Sequence, residues 1–260
     1  MRTDKDRISP ARVETDEREI FSPERIRANV VERVRATELK TEPTPYIFVT
    51  DIFPADYYRE IQKHFPPAEI FQEQSDKRMV NPLSRAYRKF ISLGNDIELL
   101  DAASRTCWIA MRETLDHPDF TRVIFEKFAE PMRKRYGRDN LDVKLRLEVY
   151  RDHTGYAIGP HTDSPSKAFT GLFYLPRDDS QKDLGTSLFV PKRRGLVEET
   201  GHQMSFAAFD EYVRMPFVPN AMFMFMKTAT SFHGRYEIPE IAETRNWMNC
   251  SIQLADRFFE

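Results

Sequence analysis

The residues best suited to chemistry lie in the short segment Gly159-Pro160-His161-Thr162-Asp163. On an extended backbone, residues i and i+2 project to the same side, so His161 and Asp163 can offer an imidazole nitrogen and a carboxylate oxygen to one metal ion. His233 follows a strand-like run and could supply a third ligand from a neighbouring strand. Two histidines and one carboxylate on one face of an octahedron leave three adjacent positions open, an arrangement that suits non-haem Fe(II). The sequence therefore predicts a metal site at His161, Asp163 and His233.

Arg245 is the candidate anchor for an anionic ligand of this metal. It lies twelve residues after His233, which is enough for a strand, a turn and entry into an antiparallel neighbour. A guanidinium there can make a bidentate pair with the distal carboxylate of a five-carbon diacid whose other end chelates the metal. Arg235, two residues after His233, is the rival anchor. We prefer Arg245 because it opens a segment of alternating faces, one polar (Arg245, Trp247, Asn249, Ser251) and one apolar (Met248, Cys250, Ile252, Leu254).

Other histidines are possible metal ligands, and the His-x-Asp motif also has a simpler interpretation. A lone His-x-Asp pair also occurs by chance on polar turns, so the pair needs the support of its context. His153 and His202 are competing ligands, but His153 lies in a turn-like stretch and is expected to be exposed. His64 and His117 lie in or beside predicted helices, where we expect surface or capping roles.

Composition limits the class of protein. The 260 residues are 40% hydrophobic and 31% charged, which fits one domain with a substantial core. The net charge of -2 gives no basic excess for nucleic acid, so a small-molecule substrate is the better default. Cys107 and Cys250 lack zinc-finger spacing and are expected to be buried thiols. Residues 1–16 carry no apolar signal segment and no run could span a bilayer, so we expect a soluble cytoplasmic protein without a membrane partner.

Helices are predicted mainly before residue 141. Residues 1–43 form a charged arm with a possible docking helix over 23–37, introduced by Ser22 and Pro23, and residues 44–260 form the main domain. A strand over 46–49 and a helix from Pro54 to Phe65 follow. The segment 66–93 has no clear period and is expected to be a long loop or a set of short elements over the site. Two further helices are predicted, over 95–115 and 118–136, the second ending at Gly137.

From Leu141 the periodicity changes to that of strands. Apolar and polar residues alternate without interruption from Leu141 to Tyr150, so one face of this strand is predicted to pack against a hydrophobic core. Further strands are predicted over 168–175, 186–190, 221–226 and 247–254. Helices followed by many short strands indicate an α+β fold in which helices buttress a β-sandwich or jelly roll.

Taken together, these motifs resemble a known family. The order His-x-Asp, about seventy residues, His, twelve residues, Arg is similar to that of the 2-oxoglutarate/Fe(II) dioxygenases, particularly the bacterial small-molecule hydroxylases of the prolyl-hydroxylase-like branch. Thr170 with Tyr174-Leu175 resembles that branch's threonine and tyrosine-leucine on the strand after the His-x-Asp pair. Residues 185–189 resemble its glycine-rich strand start, and 220–225 its strand before the distal histidine. The resemblance covers residues 141–256 and is weaker in the helical part.

The resemblance implies a double-stranded β-helix (jelly roll, cupin-like) core buttressed by N-terminal helices. It implies that His161, Asp163 and His233 bind Fe(II), that Arg245 binds 2-oxoglutarate, and that O2 is the second co-substrate. Succinate and CO2 would be released as one oxygen atom enters an unactivated C–H bond of the substrate. Asp163 favours hydroxylation, because the related radical halogenases have glycine or alanine at that position.

Two positions refine this expectation. By the same resemblance, Tyr174 could donate its hydroxyl to the distal carboxylate beside Arg245, although a tyrosine there could equally belong to the sheet core. Ile158 stands three residues before the proximal histidine, where prolyl hydroxylases often carry a tyrosine that touches the co-substrate. This difference favours a small molecule over a protein side chain as substrate.

Substrate contacts are expected from the first long strand. Arg146, Glu148 and Tyr150 project to its polar side and are predicted to line the cavity. The basic residues of the 76–89 stretch are predicted to be solvated, with recognition of an anionic substrate as the alternative (Arg78, Arg85, Arg88). Two other functions remain open: a cupin-like metalloenzyme that does not use 2-oxoglutarate, and a catalytically silent β-sandwich that binds a ligand or protein.

Overall fold

The computed structural model describes residues 17–73 and 87–257, in which two antiparallel sheets form the body of the protein. The strands in chain order are β1 (Tyr46–Val49), β2 (Gln72–Glu73), β3 (Arg88–Ser92), β4 (Val143–Asp152), β5 (Ile158–His161), β6 (Lys167–Tyr174), β7 (Ser187–Pro191), β8 (Phe209–Arg214), β9 (Ala221–Met226), β10 (His233–Arg235) and β11 (Arg245–Leu254). The larger sheet has the order β1-β9-β6-β11-β4-β3-β2 and the smaller one β5-β10-β7-β8.

Helices cover one side of the larger sheet. They are α1 (Glu17–Ile20), α2 (Pro23–Ala36), α3 (Ala55–Lys63), α4 (Ala102–Asp116), α5 (Pro118–Lys127) and α6 (Ala129–Tyr136). Short 3-10 turns occur at Ala68–Ile70, Ile97–Leu99, Asp179–Leu184, Phe206–Ala208 and Ala255–Arg257. Across residues 17–73 and 87–257, no helix qualifies as a candidate membrane span.

The predicted docking helix of the N-terminal arm is confirmed as α2. Its first turn is capped by Ser22, whose Oγ accepts a hydrogen bond from the backbone N–H of Arg25, and Pro23 occupies N1. Ile26, Val30 and Val34 recur at helical spacing and are completely buried in the main core. The helix packs on α4 and α5, so this part of the arm contributes to the core. Residues 1–16 lie outside the described ranges.

Of the two helices predicted over 95–115 and 118–136, the first starts later than predicted, and the second has the predicted ends but is not continuous. The first begins only at Ala102, after Asp101 caps it with two side-chain hydrogen bonds, and Leu99 before it is 57% exposed. The second is divided at Phe128 into α5 and α6. Pro131 explains the division, because it lacks an N–H and its ring would clash with the carbonyl of Lys127 in a continuous helix. Gly137 ends α6 in the left-handed conformation, as predicted.

The segment 66–93 also contains an element that its pattern did not reveal. Residues 88–92 form β3, which pairs along its whole length with β4, so of the two predicted alternatives the set of short elements is confirmed in the described part of this segment. The two charged residues Arg88 and Lys89 at its start are not typical of a strand, although β3 is partly buried. Arg78 and Arg85 fall in residues 74–86, outside the described ranges.

The long strand β11 has one face toward the helix-covered core and the other toward a polar cavity. It lies between β4 and β6 in the larger sheet. Met248, Cys250 and Ile252 face the helix-covered core, as predicted from their alternation. A second apolar cluster joins β6 and β9 to β7 and β5, packing the two sheets face to face. The strands predicted over 168–175, 186–190, 221–226 and 247–254 are confirmed as β6, β7, β9 and β11, and the fold is an α+β jelly roll buttressed by helices.

Candidate metal centre

The pairing of β5 with β10 brings the three predicted ligands together. His161 and His233 are directly opposite each other in the register, so their side chains leave the same face of the smaller sheet. Their imidazole centroids are 4.3 Å apart, and the ligand atoms of His161, Asp163 and His233 all lie within 4.8 Å of one another. All three residues are buried. Gly234 allows this close approach, since a Cβ there would lie 2.7 Å from the carbonyl oxygen of Ile158 on β5.

Backbone carbonyl groups fix the orientation of both imidazoles. The Nδ1 atom of His161 lies 2.8 Å from the carbonyl oxygen of Gly159, and that of His233 lies 3.0 Å from the carbonyl oxygen of Ser231. An Nδ1–H that donates to a carbonyl leaves the Nε2 lone pair free for a metal ion. Burial lowers the pKa of both imidazoles, that of His161 to about 3. Both rings are therefore neutral at pH 7, as metal binding requires.

Asp163 is held as a carboxylate by two donors. Lys167 donates from Nζ to Oδ1 over 2.7 Å, and the hydroxyl of Thr170 donates to Oδ2 over 2.6 Å. Burial alone would raise the pKa of Asp163, but the charge and hydrogen bond of Lys167 lower it well below its usual range. Two neutral imidazoles and one carboxylate match the donor set of a facial Fe(II) site. Within the described ranges, these residues form the only group of three or more metal-ligating side chains.

The hydroxyl of Thr170 should tune this carboxylate. Replacing Thr170 by valine removes the donor to Asp163 Oδ2 while keeping a β-branched side chain in β6. Because partners of a ligating group orient it and adjust its basicity, we expect the Fe(II) affinity to fall by about 10- to 100-fold. Anaerobic titration with Fe(II) measures the change, with Thr106→Val on the surface of α4 as the matched control. An unchanged affinity would assign Thr170 to packing alone.

A second hydrogen-bond network holds Thr162, which lies between His161 and Asp163 directly after β5. The Thr162 hydroxyl lies 2.8 Å from both the carbonyl and a carboxylate oxygen of Glu198, and it accepts from Lys227 Nζ over 3.0 Å. Burial alone would raise the pKa of Glu198, but donors from Thr200, Thr162 and Gly201 lower it to about 2. The loop that carries Glu198 is thereby fixed to the metal-site strand. Sequence reasoning missed both charged residues, although a lysine directly after the buried strand β9 was a usable signal.

Arg245 lies in a buried ion cluster that follows the strand register. Asp152 on β4 faces Arg88 on β3 and Arg245 on β11, so the three side chains form a row across adjacent strands. Asp152 accepts two bonds from Arg88, at 2.6 and 2.9 Å, and one each from Arg245 Nη1 and Trp247 Nε1, both at 2.9 Å. Arg245 Nε also donates to the carbonyl of Leu184 over 2.6 Å. Arg88 is therefore buried, and its prediction as a solvated residue is wrong, because the pairing exists only across strands distant in sequence.

Comparison with known proteins gives the fold a precedent. No family model matches the sequence, and no curated protein matches it in sequence either. Among solved structures, a prolyl 4-hydroxylase from Phytophthora capsici is 14% identical with a TM-score of 0.54, over 95% of this chain and 70% of that one. A prolyl hydroxylase from Trichoplax adhaerens, solved with a hypoxia inducible factor peptide, is 13% identical with a TM-score of 0.52, over 92% and 94% of the two chains. The non-heme alpha ketoglutarate dependent epimerase SnoN is 13% identical with a TM-score of 0.50, over 88% and 83%.

The chain has the fold of the 2-oxoglutarate/Fe(II) oxygenases. Identities of 13–14% show the fold alone, and the chemistry that this 2-oxoglutarate oxygenase fold can support depends on the side chains of its cavity. The double-stranded β-helix implied by the sequence motifs is confirmed.

One cavity of the oxygenase fold contains both the metal-ligating residues and the arginine cluster. It has a volume of about 860 Å³, and His161, Asp163, His233 and Arg245 all line it. Arg146, Glu148 and Tyr150, which the strand alternation predicted on the polar side of β4, line it as well. Glu148 pairs with Arg146 over 2.7 Å and accepts the hydroxyl of Tyr150 over 2.9 Å. The cavity wall formed by β4 is therefore polar and carries the positive charge of Arg146 and the negative charge of Glu148.

Tyr174 combines features of both roles predicted for it, a residue of the sheet core and a neighbour of Arg245. Its ring packs against Phe217, with centroids 4.7 Å apart, inside the cluster that joins the sheets. The guanidinium carbon of Arg245 is 5.6 Å from its ring centroid, and its hydroxyl accepts the backbone N–H of Thr186 over 3.2 Å. The side chain thus supports Arg245 from the core side of the oxygenase fold.

Proposed function

We propose that this protein is a 2-oxoglutarate- and Fe(II)-dependent dioxygenase that hydroxylates an unactivated C–H bond of a small molecule. One observation carries the proposal. Two neutral histidines, one aspartate carboxylate and a buried arginine all line the same cavity. In such a site Fe(II), 2-oxoglutarate and O2 supply oxidative decarboxylation to succinate and CO2, coupled to oxidation of the substrate.

The protein's own residues would bind and orient the reactants. His161, Asp163 and His233 would hold Fe(II), with the imidazoles aligned by the carbonyls of Gly159 and Ser231. Arg245 would bind the distal carboxylate of 2-oxoglutarate, with Tyr174 beside it. Asp152 keeps the guanidinium of Arg245 in a fixed orientation, which lowers the entropy lost when an anion binds.

The substrate is proposed to be small and polar. The cavity of about 860 Å³ lies in the range of small-molecule sites. Arg146, Glu148 and Tyr150 present a cation, an anion and an aromatic ring on its wall, and we propose them as substrate contacts. Such a wall suits a compound that carries both charged and apolar groups.

Succinate formation tests the function directly. Purified protein supplied with Fe(II), O2 and 2-oxoglutarate should form succinate, and a panel of metabolites should reveal the substrate as the compound that accelerates this. Failure to bind Fe(II) stoichiometrically under anaerobic conditions would instead indicate a silent binding protein. Iron binding without consumption of 2-oxoglutarate would contradict the proposed co-substrate.

Arg245 separates the proposal from a cupin-like metalloenzyme that does not use 2-oxoglutarate. Arg245→Ala removes a buried, charge-assisted contact with the co-substrate, so we expect the KM for 2-oxoglutarate to rise at least about 30-fold, from a loss of about 2 kcal/mol or more. Succinate formation at varied 2-oxoglutarate measures this, with Arg245→Lys as a charge-preserving variant and Arg133→Ala on the surface as control. Metal-dependent activity that needs no 2-oxoglutarate and persists in full in Arg245→Ala would favour the cupin-like alternative.

A further inference from the structure

Arg235 is a second buried arginine of the metal cavity. It follows His233 by two residues on β10, so its side chain leaves the strand on the same face as that ligand. Only 4% of its surface is exposed, and it lines the cavity together with His233 and Arg245. Its position near the metal is therefore fixed by a strand that also carries a metal-ligating histidine.

The hydrogen bonds of Arg235 are incomplete. Its Nη1 donates to the carbonyl of Gly185 over 3.4 Å, which is a long bond, and its Nε is buried without a partner among the described residues. A guanidinium has five N–H donors. In the described part of the chain, no carboxylate lies within 4.0 Å of it, whereas Arg88 and Arg245 both pair with Asp152.

The local charge is also unbalanced. Arg88, Arg235 and Arg245 bring three positive charges to this end of the cavity, and Asp152 brings one negative charge. The guanidinium group of an arginine is always a cation at pH 7, and that of Arg235 is buried. An unpaired buried cation is costly for a folded protein, and a bound anion would offset that cost.

We infer that Arg235 and Arg245 form a two-guanidinium anchor for the distal carboxylate of 2-oxoglutarate, in which Arg235 supplies the unpaired donors. The inference rests on the function proposed above and adds a co-substrate contact to it. Arg245, already held by Asp152 and Leu184, provides a fixed edge of the anchor. Arg235 provides a positive charge that has no ion-pair partner within residues 17–73 and 87–257.

Equilibrium binding of two 2-oxo acids tests the anchor without turnover. 2-Oxoglutarate and pyruvate share the chelating end, but only 2-oxoglutarate has the distal carboxylate. Fe(II)-loaded protein is titrated anaerobically with each, and Kd is followed by calorimetry. Loss of a hydrogen bond to a charged group predicts that Arg235→Met weakens 2-oxoglutarate binding by about 10- to 100-fold while pyruvate binding stays within about 3-fold.

Controls separate the possible outcomes. Arg122→Met removes a surface arginine paired with Asp119, outside the cavity, and should change neither Kd. Arg235→Lys keeps the charge and loses the planar fork, so it should weaken 2-oxoglutarate binding alone, and it decides the matter if Arg235→Met does not fold. Unchanged 2-oxoglutarate affinity in a folded Arg235 variant, or an equal loss for both acids, would overturn the anchor. Failure of the wild-type protein to bind either acid would instead contradict the proposed function.

Discussion

Alanine at any one of His161, Asp163 or His233 is expected to abolish Fe(II) binding and succinate formation. The three ligand atoms lie within 4.8 Å of one another, so removal of one leaves a two-ligand site. Loss of an outer partner already costs about 10- to 100-fold in metal affinity, and loss of a ligand should exceed about 100-fold. Anaerobic Fe(II) titration and succinate assays of the three variants measure the effect.

The control for these variants is His64→Ala. His64 lies at the end of α3, remote from the cavity, and should retain full iron binding. Far-ultraviolet circular dichroism of each variant establishes that the fold persists. Normal turnover in all three triad variants would exclude this site as the catalytic centre, and loss in only one would indicate a different ligand set.

Asp152→Asn is expected to cause the largest loss of stability among the substitutions considered. Asp152 is completely buried and is the carboxylate that pairs with both Arg88 and Arg245. Asparagine preserves its shape but leaves two buried guanidinium groups without a counter-charge. Breaking a buried ion pair from one side typically costs about 3–5 kcal/mol, so we expect the free energy of unfolding to fall by about that amount. Urea denaturation at pH 7 measures it.

The pH dependence of this difference has a defined sign. Burial alone would raise the pKa of Asp152, but Arg88 and Arg245 lower it below its ordinary value of 3.8. A carboxylate with a depressed folded-state pKa stabilises the protein above the unfolded-state pKa and loses this contribution as the pH falls through the folded-state value. The difference in the free energy of unfolding between wild type and Asp152→Asn should therefore have its full value at pH 7 and decrease below about pH 3.8.

Asp139→Asn is the matched control for Asp152→Asn. Asp139 pairs with Arg133 at the surface, with both side chains more than half exposed. Surface pairs of this kind contribute about 0–1 kcal/mol. A loss of equal size in both variants would show that the buried cluster contributes no more than a surface pair.

The sequence predicted local features well and missed features that depend on pairing between distant strands. His161 and Asp163 could be joined from two-residue spacing alone, and the alternation along β11 located the dry face of the larger sheet. Asp152 lies next to a stretch that is turn-like in sequence, and Arg88 lies in a segment that has no clear period. Their ion pair exists because β3, β4 and β11 align Arg88, Asp152 and Arg245 in one row. No local period encodes that register.

The helical part shows the same limit in another form. The burial of α2 followed from Ile26, Val30 and Val34, because their spacing is itself the signal. The division between α5 and α6 depends on Pro131, and the pattern of apolar residues continues across it. Steric conflict with a backbone carbonyl therefore decided the boundary against the hydrophobic periodicity.

The attachment of the Glu198 loop to the metal-site strand has a consequence for protein engineering. Thr200, Gly201 and Gln203 line the cavity, yet the same loop is hydrogen-bonded to Thr162, Gly159 and Pro160 beside the ligands. A transplanted loop would therefore disturb iron binding together with selectivity. Arg146 on the opposite wall is partly exposed and pairs only with Glu148 among the described carboxylates. Libraries that aim to redirect the proposed enzyme to new compounds should thus begin on β4 and leave this loop intact.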